Sequence, residues 1–120
     1  MPVLATTGTH HLRLTVTDID RSRAFYRDVL GFEVVAQSPG SPDDPEVRVD
    51  PFRLYGGCVF QTNGMLLGLR PVARASDRFD SERVGLDHLS FAVESKDELY
   101  RAAAPEDVNL SETSGCFGGL

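Results

Sequence analysis

Two histidines occupy the same place in a phrase that this chain contains twice. His11-Leu12-x-Leu14-x-Val16 recurs 77 positions later as His88-Leu89-x-Phe91-x-Val93. The copies stay in register beyond the phrase, with Asp18 matched by Ser95 and Asp20 by Asp97. Neutral imidazole is the commonest protein ligand for zinc, nickel and iron(II), so a repeated histidine is the beginning of a metal site. His11 and His88 are the candidate ligands. A catalytic metal normally takes three protein ligands and keeps one position open, so the pair needs carboxylate partners. The competing reading is two histidines satisfied by hydrogen bonds. His10 breaks the phase of the polar face and reads as structural or exposed.

Four further residues suit substrate binding. Arg13 and Arg70 sit in strand-like segments, where a guanidinium can pair with an anionic substrate; the alternative is an exposed surface arginine. Gln61 is either a polar contact or an edge residue, and Ser90 shares the side of its segment with His88. No residue stands out as a catalytic acid, base or nucleophile. Cys58 has no neighbouring base in the sequence, and the acidic stretch Asp43–Glu46 lacks calcium-loop spacing.

The elements that must position these residues follow from periodicity. Over residues 10–17, Leu12, Leu14 and Val16 alternate with His11, Arg13, Thr15 and Thr17, which predicts a strand with one buried and one polar face. Asp18 fits a helix N-cap. Ser22, Phe25, Tyr26, Val29 and Leu30 follow at helical spacing, and Gly31 fits a left-handed cap. Residues 32–36 restart a strand. Residues 38–53 hold four of the seven prolines and read as a long loop, with a short extended piece at 47–49. Strands are expected over 56–62 and 65–72, joined by an Asn63-Gly64 hairpin turn. The first unit is therefore β-α-β-β-β over about 9–73.

Residues 74–84 are charged and aperiodic and read as a linker. A second unit opens at Gly85, with Leu89, Phe91 and Val93 facing one way and His88, Ser90 and Ala92 the other. Ser95-Lys96-Asp97-Glu98 fits a capping box for a short helix that Pro105 stops. Residues 105–120 show no sustained alternation and read as an irregular tail.

Composition narrows the function. The 120 residues suit one domain, and an apolar content of 41% suits a modest core. A net charge of −6 argues against nucleic acid as partner. No apolar run is long enough to span a membrane. The first residues carry no basic, apolar signal pattern, and Cys58 and Cys116 form no CxxC pair, so a cytoplasmic protein with reduced thiols is expected.

The segment from His11 to Phe32 (HLRLTVTDIDRSRAFYRDVLGF) together with Gly85 to Val93 (GLDHLSFAV) resembles the vicinal oxygen chelate superfamily of glyoxalase I, bleomycin-resistance proteins and extradiol dioxygenases. The resemblance covers about residues 8–104. It implies an α+β fold, in which two βαβββ modules form a curved mixed sheet around a cleft; here the second module is incomplete. It also implies a divalent ion (Zn, Ni, Fe or Mn) held by His11, His88 and carboxylates, and metal-dependent lyase, isomerase or dioxygenase chemistry on vicinal oxygens. The glutamate of the first module would fall near Gly68, yet no Asp or Glu occurs from Val59 to Ser76. Two alternatives follow: a metal-free module that sequesters a small molecule, or a truncated, inactive relative. In each active case the partner is a small molecule, and a homodimer is expected.

Overall fold

The computed structural model describes residues 2–95, together with the backbone of residues 109–110 and 116–118. The chain divides into two compact units, Met1–Ser76 and Asp77–Leu120.

The first unit runs β1 (His11–Thr15), α1 (Ile19–Ala24), β2 (Glu33–Gln37), β3 (Cys58–Gln61) and β4 (Leu66–Arg70). This is the β-α-β-β-β order that the periodicity predicts. The strands form one mixed sheet in the order β1-β4-β3-β2. β1 pairs parallel with β4, which requires the chain to cross over before it returns beside its own start. β3 pairs antiparallel with both β4 and β2. The hairpin at Asn63-Gly64 is closed by Thr62, whose amide and hydroxyl both donate to the Met65 carbonyl, at 3.0 and 2.6 Å.

Asp18 caps α1, accepting from the Arg21 amide at 3.1 Å. After Ala24 the helix widens into a π turn over Phe25–Val29. The wider turn lets two adjacent residues, Phe25 and Tyr26, both bury against the sheet. Gly31 then reverses the chain with φ +70°, as its position after the helical run predicts.

Strand alternation sorts the two faces of the sheet. Val16, Cys58, Phe60, Leu67 and Leu69 are buried and form the core with Phe25, Tyr26 and Leu54. Tyr26 stacks on Phe32 at 6.4 Å, meets Phe25 edge-on at 5.0 Å and tilts against Phe60 at 5.9 Å. The opposite face carries His11, Arg13 and Thr15, all exposed.

The loop before β3 differs from expectation at one place. Residues 47–49 form a 3₁₀ turn rather than an extended piece. The Asp44 carboxylate accepts from the Glu46 amide at 2.9 Å, and the Asp44 carbonyl accepts from the Val47 amide at 3.0 Å. That local turn outcompetes the strand preference of the two valines. The loop ends at Gly57, where a Cβ would collide with the Leu69 and Leu54 carbonyl oxygens, so only glycine permits this approach to β4.

In the second unit, β5 (Phe91–Ala92) pairs antiparallel with β7 (Cys116–Gly118), and β7 with β6 (Asn109–Leu110). The last two strands fall in the segment that shows no alternation. At two and three residues they are too short to display any. The capped helix expected after Ser95 lies outside the described residues. Among the described residues no helix is long and apolar enough to cross a membrane.

Two outcomes follow from this core. Leu67 is fully buried at the centre of the sheet, so Leu67→Ala should cost about 2–5 kcal/mol in a denaturant titration. Burial pushes the Tyr26 phenol up to about 12 from 10.0. Its raised folded value means that the neutral ring is retained through pH 10, and the associated stability is lost as pH rises from about 10 to about 12. Ultraviolet titration should show a late-ionising phenol that is absent in Tyr26→Phe.

Candidate functional site

The strand register defines an open face on the sheet of the first unit. In a parallel pair, registered residues share a face, so His11 stands with Leu66, Arg13 with Gly68 and Thr15 with Arg70. The row of His11 continues through Leu66 to Gln61 on β3 and Glu33 on β2. Three of the residues named from the sequence, Arg13, Gln61 and Arg70, therefore share one face with His11. His88 and Ser90 belong to the second unit, where both are exposed and alternate with the half-buried Leu89 and Phe91.

Arg13 and Gly68 are coupled sterically. A Cβ on Gly68 would stand 2.8 Å from Arg13 Cγ, so the arginine stem lies across the bare backbone of β4. Arg70 follows on the same face, half-buried, with its guanidinium 5.6 Å from the centre of the Tyr55 ring. Arg48 from the loop approaches the same ring at 4.8 Å and donates to the Pro42 carbonyl at 2.6 Å. Among the described residues neither Arg13 nor Arg70 has a carboxylate partner, whereas Arg23 pairs with Asp20 and Arg27 with Asp28. Gln61 donates to the Thr62 carbonyl at 3.1 Å, which leaves its side-chain oxygen as an acceptor.

Tyr55 and Glu33 were not found by sequence reasoning. Glu33 sits on β2 by ordinary alternation, but only the β2–β3 register shows that it shares the row of Gln61. The signal for Tyr55 is tertiary. Both Arg53 and Tyr55 hold left-handed conformations, φ 56° and 53°, that non-glycine residues rarely adopt. Asp50 holds that backbone in place, accepting from the amides of Phe52 at 2.9 Å and Leu54 at 3.0 Å.

The metal that the resemblance implies can be tested against these donors. The carboxylate in the row of His11 is Glu33, three strands away, which at roughly 4.8 Å per strand is about 14 Å. The position expected to carry a glutamate is Gly68, with a cationic side chain across it. Among the described residues no three His, Cys, Asp or Glu side chains come together to hold an ion. The donors on this face do not fit a divalent metal. His10 and His11 hydrogen-bond to each other through their Nδ1 atoms at 2.9 Å, and both are exposed. Cys58 is fully buried, and that burial pushes its thiol up despite the Arg23 guanidinium beside it, the opposite of the lowered value that activates a cysteine.

A cavity of about 650 Å³ lies elsewhere on the first unit, lined by Arg23, Ser38, Gly40, Pro42 and Pro71 among others. None of the candidate metal or substrate residues named from the sequence lines it.

The fold and the repeated phrase meet in one comparison. The sequence profile of the Glyoxalase/Bleomycin resistance protein/Dioxygenase superfamily matches residues 8–105. The chain belongs to this superfamily. Its members use an α+β architecture, and the βαβββ unit described above is that architecture's first module. The glyoxalase-like fold also aligns with the crystal structure of SMU.1112c, with a TM-score of 0.58 at 25% identity, over 98% of this chain and 91% of that one. A glyoxylase/bleomycin resistance protein/dioxygenase domain from Frankia sp. EAN1pec aligns with a TM-score of 0.52 at 24% identity, over 84% of this chain and 67% of that one. No curated protein matches the chain. Superfamily membership carries small-molecule binding in general, and members are often metal-dependent; it names no substrate.

The cage around Asp50 gives a pH signature. The Phe52 amide chiefly, with the Leu54 and Tyr55 amides and the Ser38 hydroxyl, holds the Asp50 carboxyl below its ordinary 3.8. A depressed carboxyl contributes stability that is present above the unfolded value and lost as pH falls through the lower folded value. The amide resonances of Phe52 and Leu54 should titrate together with a midpoint below 3.8, and Asp50→Asn should abolish that step.

Proposed function

We propose that the open face of the first unit binds a small anionic molecule without requiring a metal, and that Arg13 and Arg70 are its charged contacts. The observation that carries this reading is the arginine laid across Gly68, with a second arginine at the next position on the same face and, among the described residues, no carboxylate paired with either. A guanidinium fork matches a carboxylate in charge and geometry. Gln61 contributes an acceptor for a polar group, and the half-buried Leu66 and Val59 supply apolar surface between the polar positions. Uncompensated cations so placed are a standing attraction for an anion. The activity that follows is retention or sequestration of the ligand, as in the antibiotic-binding branch of the superfamily.

The repeated histidine favours a second reading. His88 stands on the exposed side of its segment, as His11 does on β1. In that reading imidazole would serve as a ligand to a divalent ion, which would polarise vicinal oxygens for lyase, isomerase or dioxygenase chemistry.

Calorimetric titration with a panel of small carboxylates, before and after exhaustive chelation, separates the two. Anion binding should survive chelation and weaken about 10–100-fold in Arg13→Ala and in Arg70→Ala, the worth of one charged hydrogen-bonded contact. Gly68→Ala should also weaken it, because the new methyl displaces the Arg13 stem. Affinity that disappears on chelation and returns with Ni, Zn, Fe or Mn would sink the metal-free reading and support the second.

A further inference from the structure

We infer that the ligand of this face carries two anionic groups rather than one, a short dicarboxylate being the simplest case; this rests on the anion-binding reading above. Arg13 and Arg70 occupy neighbouring rows of the open face. Their two forks together can saturate one carboxylate. A third guanidinium then remains. Arg48 stands 4.8 Å from the Tyr55 ring centre, and Arg70 stands 5.6 Å from the same centre. One aromatic ring therefore contacts two cations.

A ring face attracts each cation, but it supplies no counter-charge against the repulsion between them. Among the described residues no carboxylate supplies it either: Arg48 donates only to the Pro42 carbonyl, and Arg70 meets only the ring. In a chain whose net charge is −6, a carboxylate would be easy to place there. The arrangement is also held deliberately. Tyr55 and its neighbour Arg53 keep unfavourable left-handed backbones, and strain of this kind concentrates at ligand clamps. Asp50 fixes the segment from within, and Gly57 anchors its end against Leu69. The loop thus presents Arg48 and Tyr55 at the end of the sheet face that Arg70 occupies. The first carboxylate lies between Arg13 and Arg70, and the second is taken by Arg48 beside Tyr55.

The test compares butyrate with succinate and glutarate by calorimetry at fixed ionic strength, on the full chain. The dicarboxylates should bind at least 10-fold more tightly than butyrate. Arg48→Gln should erase that preference and leave butyrate affinity unchanged, whereas Arg13→Ala should weaken all three acids. Tyr55→Phe, which keeps the ring, should retain the preference, and its melting curve reports whether the loop still folds. Butyrate binding as tightly as the dicarboxylates, or a preference that survives Arg48→Gln, would overturn the two-anion assignment while leaving the single-anion site standing. If none of the three acids binds, the anion-binding reading falls and this inference falls with it.

Discussion

The parallel pairing of β1 with β4 is the constraint from which the rest of the first unit follows. It joins the start of the unit to its end, so everything between them must be accommodated by one crossover and two reversals. Once His11 is set against Leu66, the period of two fixes every other side chain. Leu67 and Leu69 go to the core with Phe60 and Cys58, and the arginines go to the open face. A slip of one residue in either strand would turn that strand's arginine to the core and its leucines to the open face. The core contacts and the candidate site are thus two consequences of a single register, and neither can be changed without the other.

Charge is distributed unevenly around that register. The paired ions of the helix, Arg23 with Asp20 and Arg27 with Asp28, lie within a few residues of each other in sequence. Exposed pairs of this kind contribute little to stability. The arginines of the sheet face are treated differently. Arg13 is given a glycine for its stem to lie on and Arg70 an aromatic ring under its guanidinium, contacts that orient both side chains and leave their N–H groups with hydrogen-bonding capacity. A region that neutralised its arginines for stability alone would look like the helix, not like this face.

Much of this arrangement is legible in the chain. Alternation alone places Arg13 and His11 opposite Leu12 and Leu14, the Asp18 cap and Gly31 bracket the helix, and Asn63-Gly64 marks the hairpin. These are local signals, and local hydrogen bonds or backbone sterics decide them. What escapes is non-local or very short. The π turn at Phe25–Val29 exists because the sheet rewards burying two consecutive aromatics, which no helical period anticipates. The turn at Val47–Val49 is set by Asp44, three residues earlier, against the preference of the valines themselves. Tyr55 joins Arg48 to Arg70 only because the loop folds back on β4, and Glu33 joins the row of Gln61 only through pairing.

The register shift in β2 has a bearing on how the molecule behaves in company. β2 is a border strand of its sheet, and between Val34 and Ala36 its pairing with β3 slips by one residue. A strand interrupted in that way twists and offers an approaching chain no continuous ladder of donors and acceptors. Val35, the residue left over, is half-exposed and would otherwise have made this rim a sticky one. The irregularity therefore acts as a guard against indiscriminate polymerisation, built from one surplus residue.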